Sequence, residues 1–296
     1  MIMRNFIFGT DWWTDCDDCA ALRIVSRAHK RGEINLLGIG IDAAMEYSLA
    51  SVDGFLQKEG LFDIPIAIDI NACDVSERTR YQKRLAGYAK RYHKNEDSCD
   101  PVRLYRYLTA NAGGKVDIIE VGFPQNIQAF MESGADDISP LSGMELMREK
   151  IAHIWMMAGK WDEDGGSEYN FNCYERSRIA GHVICDRCPV PITFLGWEVG
   201  INVISGSKLK KGDHLYDAFC DHGSKNGRHS WDPMLTLLAL IGDPEKAGYD
   251  CVYGKALVEP ETGKNHFTLD EKGSHRYVVK KYDNEYYSNM IDELIG

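Results

Sequence analysis

The sequence predicts an α/β fold: a mostly parallel open sheet with helices on both faces and a C-terminal antiparallel appendage. Three observations carry this. Short apolar strand-like runs alternate with amphipathic helical runs from Asn5 to Leu195, and parallel strands require crossovers of that kind. No Gly-, Pro- or Ser-rich stretch divides the 296 residues and no internal repeat is found, so residues 1–296 read as one domain. Beyond Ile241 the texture changes to β-type residues broken by Pro260, Gly263 and Gly273, the pattern of an antiparallel meander.

Asn5 to Phe8 reads as a short buried strand, and Asp18 to Lys30 places Ala21, Leu22, Val25 and Ala28 at helical spacing. Ile34 to Ile41 is a second strand, Leu49 to Leu56 a second amphipathic helix, and Ile64 to Ile68, with Pro65 in an early edge-tolerant position, a third strand. Cys73 to Cys99 is rich in Arg, Lys and Tyr without a strand signal and reads as an exposed loop and helix covering a sheet edge. Alternation then resumes. Helices are expected at Asp100 to Ala110, Gln125 to Ser133, Gly143 to Ile151 and Tyr174 to Ile184, with strands at Val116 to Val121, His153 to Ala158 and Pro191 to Leu195. Trp231 to Ile241 is an apolar helix with Pro233 in its first turn, and Glu285 to Leu294 closes the chain as a helix. In such a sheet, ligands are expected at the carboxyl ends of the strands.

Hydrophobic residues at 44% and charged residues at 27% exclude a disordered chain or a disulfide scaffold. With 34 Lys+Arg against 45 Asp+Glu, the net charge of −11 repels phosphate backbones, so neither nucleic acid nor an anionic membrane is an expected partner. Apolar runs such as Leu235 to Ile241 are far shorter than the ~18 residues a spanning helix needs. The first residues lack a signal-peptide pattern, which makes the cytoplasm the expected compartment. Nine scattered cysteines suit reduced thiols. The Cys16/Cys19 and Cys185/Cys188 pairs allow a four-thiolate zinc site in principle, but each sits in a helical pattern without a knuckle glycine.

The chemistry concentrates in Gly9-Thr10-Asp11-Trp12-Trp13-Thr14-Asp15-Cys16-Asp17-Asp18, where four aspartates fall between the end of a buried strand and the start of a helix. One or two would serve as an N-cap and as acidic first-turn residues. Four repel one another, and a hard divalent cation, Ca²⁺ or Mg²⁺, neutralises them most economically. An EF-hand is excluded, because counting from Asp15 the sixth position is Ala20 and the twelfth Ser26.

The segment resembles the N-terminal signature of the inosine-uridine preferring nucleoside hydrolase family, D-T-D-P-G-x-D-D-A-x-A-L, whose second half matches Asp17-Asp18-Cys19-Ala20-Ala21-Leu22. Gly9 replaces the family's first Asp, and five residues rather than three separate Asp11 from the acidic pair, as in a longer form of some bacterial members. Val121-Gly122-Phe123-Pro124-Gln125-Asn126 resembles the G-P-L-T-N turn, Glu168-Tyr169-Asn170 the E-F-N segment, and Ser230-Trp231-Asp232-Pro233 the H-D-P motif. Tyr174 stands where the family usually has Asp, and Asp42-Ala43-Ala44-Met45-Glu46 replaces a loop that usually carries a sugar-facing Asn.

The resemblance implies a Rossmann-like nucleoside hydrolase fold and calcium-dependent hydrolysis of the N-glycosidic bond of ribonucleosides, with a homodimer or homotetramer as the possible assembly. It implies calcium held by Asp11, Asp18, Asp232 and the Gln125 carbonyl, with Asp11 also the general base and Asp15 a lesser candidate. Asp17, Glu168, Tyr169 and Asn170 are assigned to the substrate. Trp231 replaces a histidine thought to protonate the leaving base; an indole N–H is too weak an acid for that. Stacking of a purine between Trp231 and one of Trp12, Trp13 or Trp161 is the alternative, with His229 a nearby proton source. Two other functions compete. A magnesium-dependent haloacid dehalogenase-type phosphatase would need an Asp at Trp13, and a non-catalytic calcium-dependent nucleoside or sugar receptor would bind without turnover.

Overall fold

A computed structural model describes residues 3–72 and 80–296. The chain runs β1 (Arg4–Thr10), α1 (Asp17–Lys30), β2 (Ile34–Ile41), α2 (Ser48–Glu59), β3 (Ile66–Ile68), α3 (Gln82–Ala86), a 3₁₀ turn (Asn95–Asp97), α4 (Pro101–Asn111), β4 (Val116–Glu120), α5 (Gln125–Glu132), α6 (Gly143–Lys150) and β5 (Ile151–Met157). It continues through α7 (Tyr169–Asn172), α8 (Glu175–Arg187), β6 (Ile192–Leu195), α9 (Trp197–Gly200), β7 (Ile204–Ser205), α10 (His214–His222), β8 (Arg228–His229) and α11 (Trp231–Ile241). The strands β9 (Tyr249–Val258), β10 (Asn265–Leu269) and β11 (His275–Lys280) and the helix α12 (Asn284–Ile295) complete it.

Nine strands form one sheet in the order β10-β9-β11-β6-β5-β4-β1-β2-β3. From β3 to β6 neighbouring strands are parallel, and the order reverses between β1 and β4, the switch point at which a crevice opens beyond the carboxyl ends. The C-terminal strands are antiparallel to one another, as expected. They join the main sheet through β11, which pairs in parallel with β6 from His275↔Ile192 to Tyr277↔Phe194. An unpaired β6 edge would expose a row of backbone donors and acceptors, and β11 satisfies them.

The period of two along each strand sorts the core into two layers. Phe6 and Phe8 of β1 and Trp155 and Met157 of β5 face the layer under α1, α2 and α11. Ile7, Ile154 and Met156 face the opposite layer, under α5, α6 and α8. The Cys16/Cys19 and Cys185/Cys188 pairs lie in different layers, so their thiols do not converge.

Of the segment from Cys73 to Cys99, residues 73–79 lie outside the described residues. The remainder is less exposed than its composition suggests, because Tyr81, Gln82 and Leu85 are buried, with Leu85 backed against α2 at Gly54. It does follow the sheet edge, since the Ser98 hydroxyl donates to the Ile66 carbonyl of β3. Among the described residues no helix is long and apolar enough to cross a membrane.

Two glycines make room at the switch point. A Cβ on Gly9 would lie 2.1 Å from Glu120 Oε2, and one on Gly122 would lie 2.2 Å from the Asp11 backbone nitrogen and 2.4 Å from Asp42 Oδ1. Gly122→Ala should therefore lower stability by about 1–3 kcal/mol through overpacking, whereas Gly113→Ala, with nothing within 4 Å, should leave the melting temperature within about 2 °C of wild type. Thermal melting of the two variants checks this.

Candidate active site

Beyond β1 the backbone enters the left-handed region at Trp12, φ +46°, a conformation costing a non-glycine residue about 1–2 kcal/mol. The turn sends Trp12 into the core, where its Nε1 donates to Ser51 Oγ at 2.7 Å and Phe55 and Tyr81 meet the indole edge-on. Its neighbours Asp11 and Trp13 both line a cleft instead. Asp17 and Asp18 open α1, where the helix dipole favours negative charge. Asp18 Oδ1 accepts the Thr10 hydroxyl and the Trp12 backbone N–H, the latter at 3.2 Å. Asp17 Oδ2 accepts the Asp232 backbone N–H at 3.2 Å, which ties the start of α1 to the start of α11. Two helix N-termini thus converge, and Asp17, Asp18 and Asp232, all buried, bring carboxylate oxygens within 4.8 Å of one another.

The electrostatics of this cluster are severe. Burial pushes the Asp18 carboxyl up to about 7, against the pull of its hydrogen bond from Thr10. Asp17 and Asp232 are raised well above the carboxylate range by burial and by each other's charge or that of Asp15 and Asp18. Asp11 is raised by burial, then by Asp18. A second pair sits behind them: burial lifts Glu120 to about 8, and burial followed by the Glu120 charge raises Asp42. An all-oxygen, buried, mutually repelling donor set of this kind fits a hard divalent cation. Asp15 differs. It takes both Arg228 Nε (2.8 Å) and Nη2 (2.5 Å) and is lowered by that guanidinium despite its burial.

In the same cleft, Glu168 is held by backbone through both oxygens: Oε1 accepts Asn170 N–H at 2.8 Å and Oε2 accepts Gly159 N–H at 3.0 Å. Burial raises it to about 7. Asn170 spends its Nδ2 on the carbonyls closing β4 and β5, Val121 at 3.0 Å and Met157 at 2.8 Å, so toward a ligand it presents Oδ1, an acceptor. Trp13 stacks on Tyr169 at 5.6 Å and 23°. With Trp197 and Trp231, these rings wall a cleft of about 210 Å³.

Of the residues singled out from the sequence, Asp11, Asp17, Asp18, Glu168, Tyr169, Asn170, Trp231 and Asp232 all line this cleft. Gln125 and His229 are not among its lining residues. Gln125 opens α5 with its Nε2 bonded to the Asp42 carbonyl at 2.5 Å, and the His229 ring stands 5.1 Å from that of Trp231. As stacking partners for Trp231, Trp12 and Trp161 are excluded by position, since Trp161 packs in the opposite core layer and stacks on Tyr277; Trp13 lines the cleft. Sequence reasoning missed Trp197 and Arg228. Trp197 stands two residues beyond the end of β6, and the strand-end rule would have found it. Arg228 is signalled only by standing four residues before Asp232.

No protein-family model matches the sequence, and no curated protein matches it. Solved structures do. A plant nucleoside hydrolase superposes with a TM-score of 0.74 over 99% of this chain and 98% of its own at 14% identity. The chain has the nucleoside hydrolase fold. A purine-preferring ribonucleoside hydrolase from Gardnerella vaginalis gives 0.72 over 99% and 98% of the two chains at 15% identity. The type III effector protein XopQ, complexed with adenosine diphosphate ribose, gives 0.68 over 100% and 93% at 13%. On this fold, the acidic cluster lies at the carboxyl ends of β1 and β4, where a bound ligand is expected.

Acids raised in the folded state bind more protons than the unfolded chain, so stability falls as pH rises between the unfolded carboxylate value near 4 and the folded value near 7 of Asp18. Chelator-treated protein should therefore lose melting temperature from about pH 4.5 to about pH 7.5. Calcium should abolish or reverse that slope, because metal and protons compete for the same carboxylates. Differential scanning fluorimetry with and without calcium checks both arms.

Proposed function

We propose that this protein hydrolyses the N-glycosidic bond of ribonucleosides, with calcium as its cofactor and purine nucleosides as its preferred substrates. The observation that carries this reading is that Asp11, Asp17, Asp18 and Asp232 line one cleft together with Glu168 and Asn170. A cation-hungry cluster thus shares the cleft with a set of acceptors for sugar hydroxyls.

Asp11 has the role of general base, taking a proton from the water that attacks C1′ of the sugar. Asp18 and Asp232 would hold the cation with Asp11 and the Gln125 carbonyl, and Asp17 belongs with them by position as well as with the ribose. A divalent cation bound there supplies positive charge that lets the carboxylates ionise together and lowers the pKa of adjacent water. Asn170 Oδ1 and the remaining lone pairs of Glu168 accept hydrogen bonds from ribose hydroxyls and fix the orientation of C1′. Both are already locked by backbone hydrogen bonds, so binding costs little reorganisation, and contacts that strengthen as the sugar gains positive charge favour the transition state.

The cleft disfavours phosphorylated ligands. Six carboxylates line it against a single guanidinium, already paired with Asp15. This argues for a neutral nucleoside over a phosphatase substrate or a diphosphate ligand. The aromatic walls suit a purine.

Chromatography of free base and a reducing-sugar assay, on a nucleoside panel with and without chelator, test the reading. Inosine and guanosine should yield base and ribose in equal amounts only when calcium is present. Asp11→Asn should lower kcat by roughly 10²-fold or more while the protein stays folded. Tight calcium-dependent nucleoside binding without any product would favour a receptor, and near-normal turnover by Asp11→Asn would remove the base assignment.

A further inference from the structure

We propose that Arg228 is a catalytic residue that stabilises the departing base through its free Nη1 donors, and that it thereby selects 6-oxopurine nucleosides. The inference rests on the nucleoside hydrolysis reading above and assigns the one task that reading leaves without a residue. A purine leaving C1′ takes the bonding electron pair and is a poor leaving group unless its charge is met. Among the described residues lining the cleft, none is a histidine and Arg228 is the sole cation.

The guanidinium is held ready for this. Its Nε and Nη2 face Asp15 at 2.5–3.0 Å, and Asp15 is itself fixed by the Cys16 N–H at 2.7 Å and by the Tyr81 hydroxyl on its carbonyl at 2.5 Å. One edge of the fork is thus occupied, while Nη1 has no hydrogen-bond partner among the described residues. The group lies over the Trp231 ring, 5.7 Å from its centroid, beside the residue that leads into Asp232. Trp231 has less to offer the base. Its Nε1 donates to the Trp197 carbonyl at 2.7 Å, Gly200 packs close against its five-membered ring, and His229 flanks it. A donor fixed in place before the reaction needs no reorganisation when charge develops.

The step balances as follows. The C1′–N9 bond breaks with its electron pair moving to the base, the water oxygen bonds to C1′, and Asp11 takes that water's proton. Arg228 donates hydrogen bonds from Nη1 to the base's O6 and N7 but keeps its protons, since a guanidinium does not deprotonate in proteins. The base takes its proton from solvent water, and Asp11 returns one to solvent. A carbonyl at C6 accepts from the guanidinium, whereas the amino group of adenine presents a donor to a donor.

The test compares inosine, adenosine and 4-nitrophenyl riboside, whose leaving group needs no such help. Arg228→Met should lose about 10²-fold or more in kcat on inosine, and about 30-fold more on inosine than on the nitrophenyl riboside. Added guanidinium should restore part of the inosine rate. Arg228→Lys keeps the charge beside Asp15 but not the planar fork, and should erase the preference for inosine over adenosine; it decides the matter if the Met variant does not fold. Equal losses on inosine and nitrophenyl riboside, or an unchanged inosine preference in Arg228→Lys, would overturn the proposal and leave Arg228 as a structural partner of Asp15. Failure of the wild type to cleave either substrate would overturn the hydrolase reading itself, and this assignment with it.

Discussion

The mutual repulsion of buried carboxylates at the carboxyl ends of β1 and β4 is the constraint around which this molecule is organised. Asp17, Asp18 and Asp232 come within 4.8 Å of one another while nearly excluded from water. Isolated ionised groups cannot be buried at a tolerable free energy, so such a site holds protons or a cation. The fold supplies partial compensation. The N-termini of α1 and α11 point at the cluster, the Thr10 hydroxyl and two backbone N–H groups donate into it, and each helix dipole adds a fractional positive charge. That compensation leaves the carboxyls raised, which distinguishes a site built to take a cation from one that is neutral by itself.

The same charge balance explains the residues around it. Asp15 does not join the cluster, because Arg228 claims it across 213 positions of sequence, and the resulting ion pair is neutral. The arrangement brings a guanidinium to the rim of an acidic cleft without cancelling the charge that attracts a cation. Behind the cluster, Glu120 and Asp42 form a second buried acid pair in the space left by Gly9 and Gly122. Asp42 Oδ1 accepts the Phe123 N–H at 2.8 Å and so braces that turn; Asp42 does not line the cleft.

The alternating sheet was legible because each of its strands and long helices carries its own period. Ile34–Ile41 and Trp231–Ile241 fall where the pattern puts them. The four aspartates were legible because their crowding has no structural use. What could not be read depends on contacts between distant segments or on single dihedrals. Nothing in Trp12-Trp13 says which indole enters the core; the left-handed turn at Trp12 decides it. The helices α7 and α9 have four residues each and lie between Glu168 and Trp231, where a single turn gives no periodic signal. The parallel docking of β11 on β6 was hidden for another reason, since hydrogen-bonding partners of an edge strand leave no trace in local composition.

Isothermal titration of the chelated protein with calcium, in two buffers of different ionisation enthalpy near pH 6.5, tests the central claim most directly, because it counts the protons that metal displaces. The account predicts one calcium per chain and release of about one proton or more on binding, with both lost in Asp18→Asn/Asp232→Asn. Absence of binding, binding without proton release, or binding that survives this double substitution would contradict it.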